Sequence, residues 1–237
     1  MDRMGVMNGK KELEMPKQGT SLKHEKGKYY NVDFHFDKKR SALLVIDLQN
    51  DFFHDDGVHH KNGVDVKALR PKIPQCVRLS NLCREAGIPI IHIRYILHPD
   101  QSGKAADAGL FIEGARPWLV HEGLRPGSWG AQMLDELGKP DFDVEKNRAS
   151  GFFGTYLETL LRGIRIDTLI FSGFATNICV ENTYRDAWVR DFRVIGIKDA
   201  MITHDPFLQE ASEKNMDIMG HCLSLDDFQR ILEEAKD

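Results

Sequence analysis

Asp47, Lys146 and Cys179 are a carboxylate, a cation and a thiol, residue types that together could carry out acyl transfer without a metal. A thiolate is the nucleophilic form of cysteine, and both a lysine cation and a helix N-terminus favour it. A carboxylate can accept the thiol proton and pass it to a leaving amine. Backbone N–H groups at the same turn could hold a developing oxyanion. Each residue also has a plainer reading. Asp47 could be a loop or cap carboxylate, Lys146 a solvated cation and Cys179 a small buried hydrophobe. The three lie far apart in the chain, so only the fold can bring them together.

The elements that must do so are legible as apolar runs. Ser41-Ala-Leu-Leu-Val-Ile46 shows no alternation, which fits a strand covered on both faces, and it ends at Asp47. Further strands are expected over 88–93, 142–146, 168–173 and 194–197. Helical spacing covers 66–86, stopped by Gly87, and helices are also expected over 131–137, 155–162, 178–192, 207–219 and 226–235. Strands alternating with helices predict an α/β protein with three layers, α/β/α, around a mostly parallel sheet. Ligands of such sheets bind outside the carboxyl ends of the strands. Asp47 follows the first strand and Lys146 ends the third. Cys179 lies just beyond Gly173, where strand turns into helix.

Charge and composition narrow the field. Lys and Arg number 32 and Asp and Glu 36, a net charge of −4, so the chain has no generic attraction to nucleic acid or anionic membrane. No apolar run approaches the roughly 20 residues of a membrane span. The first residues are polar and lysine-rich without an apolar core, unlike a secretory signal. Four sparse cysteines, Cys76, Cys83, Cys179 and Cys222, then read as reduced thiols of a cytoplasmic protein. Residues 1–35 are rich in Lys, Gly and Met and lack a period. They read as an N-terminal extension, mobile or packed on a partner, ahead of a single domain over 36–237.

His54-Asp-Asp-Gly-Val-His-His60 contains metal-ligand types, but no spacing matches a known site, and a polar loop flanking the pocket is the plainer reading. Cys76 and Cys83 share one helix face as core residues, because two helical turns separate them by about 10 Å. Trp129 could wall a pocket or pack elsewhere. Phe52 and Tyr184 are aromatic candidates for stacking on a planar group. Gly173-Phe-Ala-Thr-Asn177 lacks the spaced glycines and lysine of a phosphate loop.

Three segments carry a resemblance: Leu44-Val-Ile-Asp-Leu-Gln-Asn-Asp-Phe52, Glu145-Lys-Asn-Arg-Ala-Ser-Gly-Phe-Phe-Gly-Thr155 and Gly173-Phe-Ala-Thr-Asn-Ile-Cys-Val-Glu-Asn-Thr183, the last followed by Arg185-Asp-Ala187. In this order they resemble the isochorismatase-like cysteine hydrolases, over residue 40 to the C-terminus. The resemblance implies a catalytic triad of Asp47, Lys146 and Cys179. It also implies an oxyanion hole from the N–H groups of Ala175 and Cys179, and a cis peptide between Phe174 and Ala175. Within the family the chain looks most like ureidoacrylate amidohydrolases and biuret hydrolases, which cleave a C–N bond of a ureido or carbamoyl group. Substrate contacts are then expected from Gln49, Asn50, Phe52, Trp129, Thr176 and Tyr184. Tyr184 departs from the aliphatic residue usual in ureidoacrylate enzymes. Family nicotinamidases carry a metal on an Asp-x-His motif after the second strand, and Ile91-His-Ile-Arg-Tyr-Ile-Leu-His98 has none. The implied protein is a homodimer or homotetramer that needs no cofactor and no metal. It takes a small ureido or amide substrate through a thioester acyl-enzyme, releasing ammonia or a carbamate. The alternatives are a related amidase (an N-carbamoyl amino acid hydrolase, a maleamate hydrolase or a nicotinamidase) and a catalytically silent binding or scaffold protein with the same fold.

Overall fold

Every residue of Ser41–Ile46 is buried, and so is every residue of Thr168–Phe174. In the computed structural model, which describes residues 20–22 and 34–235, these two strands lie side by side at the centre of one sheet. The strands are β1 (Thr20–Leu22), β2 (Phe34–Phe36), β3 (Ser41–Ile46), β4 (Ile90–Tyr95), β5 (Phe142–Lys146), β6 (Thr168–Phe174), β7 (Arg193–Ile202) and β8 (His221–Leu223). The helices are α1 (Asn50–Phe53), α2 (Val58–Lys61), α3 (Ile73–Glu85), α4 (Gly109–Ala115), α5 (Trp118–His121), α6 (Leu157–Gly163), α7 (Glu181–Trp188), α8 (Pro206–Met219) and α9 (Leu225–Glu234).

The main sheet runs β5-β4-β3-β6-β7-β8, and every neighbouring pair is parallel. Parallel strands need helical crossovers that cover both faces, which is why the central strands carry no polar alternation. One helical layer pairs α3 with α9 and another pairs α7 with α8, each against β7. The chain builds outward from β3 through β4 to β5. It then returns to the other side of β3 as β6 and continues to β7 and β8. The strand order therefore reverses between β3 and β6, where sheets of this kind open a crevice for ligands.

Several boundaries differ from the sequence expectation, for identifiable reasons. The helix expected over 66–86 begins only at Ile73, after a 3-10 turn at Arg70–Lys72 that contains Pro71. The helix expected over 131–137 shrinks to a turn at Asp135–Leu137. Backbone groups nearby are committed to distant partners: Gln132 O accepts from Asn50 N at 2.9 Å, and Leu134 N donates to Leu48 O at 2.8 Å. Groups tied across the chain cannot serve a helix ladder. The helix expected from 178 opens with a π-helical turn over Thr176–Val180. Strand β8 is three residues long, too short to show a period. The extension expected over 1–35 lies mostly outside the described residues, but Thr20–Leu22 pairs antiparallel with Phe34–Phe36. Among the described residues no helix is long and apolar enough to cross a membrane.

Candidate active site

The switch point is shaped by two unusual backbones. Gly173, near the end of β6, has φ 127°, and a Cβ there would lie 2.1 Å from Ile46 O. Only glycine lets β6 press so closely on the end of β3. Asp47, the next residue of that neighbouring strand, has φ 54°. Aspartate tolerates this left-handed region better than most residues. Past Gly173 the Phe174–Ala175 peptide bond is cis, and Ala175 O then accepts from Ile178 N at 3.0 Å and Val180 N at 3.2 Å. This turn carries Cys179.

The three residues meet. Lys146 Nζ donates to Asp47 Oδ2 at 2.8 Å and lies 3.4 Å from Cys179 Sγ. It also donates to Arg148 O at 3.1 Å and stands 4.2 Å from the centre of the Tyr95 ring. All three side chains are buried. The ammonium is thus held by a carboxylate, a carbonyl, a sulfur and a ring face, the compensation a buried cation requires. Asp47 Oδ1 makes no hydrogen bond of sound geometry.

The electrostatics revise one expectation. The lysine and the helix entrance were expected to lower the thiol pKa. Instead burial pushes the Cys179 thiol up to about 12: Lys146 opposes that shift, and the nearby Asp47 charge reinforces it. Burial also raises the Asp47 carboxyl above its ordinary value, against the pull of Lys146. The two shifts oppose each other in proton transfer: the raised carboxyl is a stronger base, while the raised thiol is a weaker acid. The resting pair is therefore an uncharged thiol beside a carboxylate made more basic than usual.

The small pocket over the thiol is lined by Asp47, Tyr95 and Cys179 from the sheet edge and by Phe52, Phe174, His59 and Arg116 among others. Of the residues expected to contact substrate, Phe52 lines it. Its ring packs on His59 at 4.6 Å and on Phe174 at 5.6 Å. The other five are placed elsewhere. Gln49 is fully buried, donates to Tyr95 O at 3.0 Å and Ala131 O at 2.9 Å, and accepts from Tyr95 N at 2.7 Å. It is a brace between loops. Asn50 donates to Trp129 O at 2.9 Å, and the Trp129 ring lies against His54 on a separate surface groove. Thr176 donates to Gln209 Oε1 at 2.8 Å. The Tyr184 hydroxyl sits in the core among the carbonyls of Val194, Met216 and His221. Stacking on substrate is thus corrected for Tyr184: its aromatic ring fills the interior against Phe171.

Other residues escaped the sequence reading. His59 is not part of a polar loop but a buried pocket residue. Arg116 follows α4, in a segment too irregular to place. Thr183 donates to Cys179 O at 2.6 Å and accepts from Gly151 N at 2.9 Å, tying the cysteine turn to the segment after Lys146. Its position four residues after Cys179 is the one signal that could have found it, since a Thr hydroxyl can reach the carbonyl one helical turn back.

Comparison with known proteins agrees with this picture. The isochorismatase domain matches residues 41–227. Ureidoacrylate amidohydrolase RutB of Klebsiella pneumoniae is 34% identical over 213 residues, covering 84% of this chain and 90% of that protein. The same-named protein of Methylorubrum extorquens is 33% identical over 195 residues, covering 77% and 78%. Among solved structures, a cysteine hydrolase from Pseudomonas syringae superimposes with a TM-score of 0.72 at 26% identity, covering 85% of this chain and 96% of that one. N-carbamoylsarcosine amidase from Thermoplasma acidophilum gives 0.62 at 26% identity, covering 79% and 97%. The chain belongs to the isochorismatase family. It is an amidohydrolase of that family, a hydrolase of C–N bonds other than peptide bonds.

Proposed function

We propose that this amidohydrolase cleaves a small ureido, carbamoyl or amide substrate, ureidoacrylate-like or biuret-like, through a thioester on Cys179 and without a metal. The observation that carries the reading is the position of Lys146 Nζ, within reach of both the Asp47 carboxylate and the Cys179 sulfur at the base of a small pocket. The named activities of the relatives support the substrate class.

The placement of the three side chains supports these steps. Substrate enters with its carbonyl carbon against Sγ. Asp47 takes the thiol proton as the C–S bond forms, so no free thiolate has to persist at rest. The developing oxyanion is held by the N–H groups of Ala175 and Cys179, and Lys146 offsets the negative charge on sulfur and carboxylate. Collapse breaks the C–N bond, and Asp47 returns the proton to the departing nitrogen. Water then attacks the thioester and gives a proton to Asp47. The C–S bond breaks and the thiol recovers its proton. Lys146 supplies beside the sulfur the fixed positive charge that a metal supplies in other hydrolases.

Ammonia release from a panel of ureidoacrylate, biuret, triuret, N-carbamoyl amino acids, nicotinamide and maleamate tests this reading. The expected result is turnover of a ureido or carbamoyl member by the wild type and loss of it in Cys179→Ala. Turnover that survives in Cys179→Ala, or release from no member of the panel, contradicts it, and activity confined to nicotinamide removes the ureidoacrylate-like or biuret-like part of it.

A further inference from the structure

The mechanism leaves part of the pocket wall idle, and that part is polar. His59 is 1% exposed and lines the pocket, yet neither ring nitrogen has a hydrogen-bond partner. Its ring centre lies 6.2 Å from that of Trp118, whose Nε1 is also buried without a partner. Unsatisfied buried groups are rare in folded proteins because each carries a desolvation cost. Arg116 lines the same pocket, with its guanidinium 5.8 Å from the Trp118 ring. Its Nη1 donates to the adjacent Ala115 O at 3.1 Å, and among the described residues no carboxylate forms an ion pair with it. Burial pushes the His59 imidazole down to about 3, helped by the Arg116 charge, so the ring is neutral at physiological pH.

These groups have one demand in common. A guanidinium and an indole N–H can only donate, and a neutral imidazole can donate through one nitrogen. A cationic ligand would meet the Arg116 charge, and a neutral one would leave that charge uncompensated. A carboxylate in the pocket would accept from Arg116 and His59, which both line it, and a guanidinium can take it through two parallel bonds. The apolar residues around it, Phe52, Phe174, Ile112 and Leu119, would keep water from weakening the pair.

We propose that Arg116 and His59 form an anion subsite in the Cys179 pocket, and that the substrate carries a carboxylate on the end remote from the scissile C–N bond. The proposal deepens the reading of Cys179 as nucleophile and rests on it. It favours an acid-tailed ureido compound over biuret, which has no carboxylate.

The test alkylates Cys179 in the full chain with 3-bromopropanoate and, separately, with its neutral amide, and uses mass spectrometry to follow the sulfur displacing bromide. The acid-to-amide rate ratio is compared with the same ratio on glutathione. The expected ratio on the wild type exceeds that of the free thiol by about tenfold or more, the worth of a hydrogen-bonded charge pair. In Arg116→Gln the ratio falls to the free-thiol value. Arg116→Lys keeps part of the excess, and His59→Phe loses a smaller part of it. A wild-type ratio equal to that of glutathione, as expected if His59 merely holds a buried water, overturns the proposal. So does an excess that persists in Arg116→Gln. Failure of the nucleophile reading shows separately, as turnover surviving in Cys179→Ala, and leaves the ratio readable.

Discussion

Cys76 and Cys179 are both buried thiols, and burial pushes both up to about 12. Their neighbours differ. Cys76 sits on α3 with its Sγ 3.3 Å from Ala200 O, a carbonyl that can accept a hydrogen bond but not a proton. Cys179 has an ammonium at 3.4 Å and, through it, a carboxylate whose own pKa is raised. Equal thiol pKa values therefore conceal unequal chemistry. The Cys179 proton has a carboxylate acceptor at hand and the resulting charge touches an ammonium, whereas Cys76 feels the Lys72 charge without a carboxylate to take its proton. In the proposed mechanism, reactivity comes from the path of the proton rather than from a stable thiolate at rest.

The comparison can be broken most sharply at the two sulfurs. Cys179→Ala is expected to lose turnover by ~10⁴-fold or more in an ammonia-release assay, with the thermal unfolding midpoint little changed. Cys76→Ala should keep turnover and lose about 1–2 kcal/mol of stability in urea titration, the cost of a small cavity. If Cys76→Ala lost the activity and Cys179→Ala kept it, the assignment of the two environments would be reversed.

Next in size is the proton acceptor. Asp47→Asn preserves shape but cannot take a proton, and kcat should fall by about 10²–10⁴-fold. The pH profile follows from the same group. Asp47 acts as a base only when ionised, and its pKa is raised above the ordinary 3.8. Activity should therefore disappear as pH falls through a midpoint above 3.8. An acid limb of kcat/KM at or below that value would remove Asp47 from the role.

Smaller effects separate braces from contacts. Gln49→Leu strands three backbone groups of Tyr95 and Ala131, and should cost about 2–3 kcal/mol of unfolding free energy. Tyr184→Phe removes a hydroxyl from the core carbonyls and should cost about 1 kcal/mol while leaving KM within about twofold. A tenfold rise in KM for Tyr184→Phe would restore it to the pocket.

The contrast also shows what a sequence reveals. The parallel sheet was legible because uninterrupted apolar runs end at Asp47 and at Gly173, just before the Cys179 turn, whereas the edge strand ending at Lys146 alternates. The meeting of those residues followed from the carboxyl-edge rule rather than from spacing. Polar neighbours in the same segments were misread. Gln49, Asn50 and Thr176 are buried within or beside the functional segments and are committed to neighbouring segments: Gln49 to Tyr95 at the end of β4 and to Ala131, Asn50 to Trp129, and Thr176 to Gln209 on α8. Tyr184 has the size and polarity of a ligand contact but points inward from α7. His59 was read only as part of a polar loop flanking the pocket and Arg116 gave no signal, since their place in the pocket wall depends on how the segments after β3 and β4 fold back over the strand ends. The thiol shift was also unreadable, because the desolvation that dominates it depends on the full depth of burial.

The most direct test of the central claim is to alkylate the protein progressively with iodoacetamide, quantify the label at each cysteine by mass spectrometry, and measure residual turnover on the same samples. Residual activity is expected to equal the fraction of Cys179 left unmodified and to be independent of label at Cys222. Full turnover by protein whose Cys179 is completely alkylated would contradict the account.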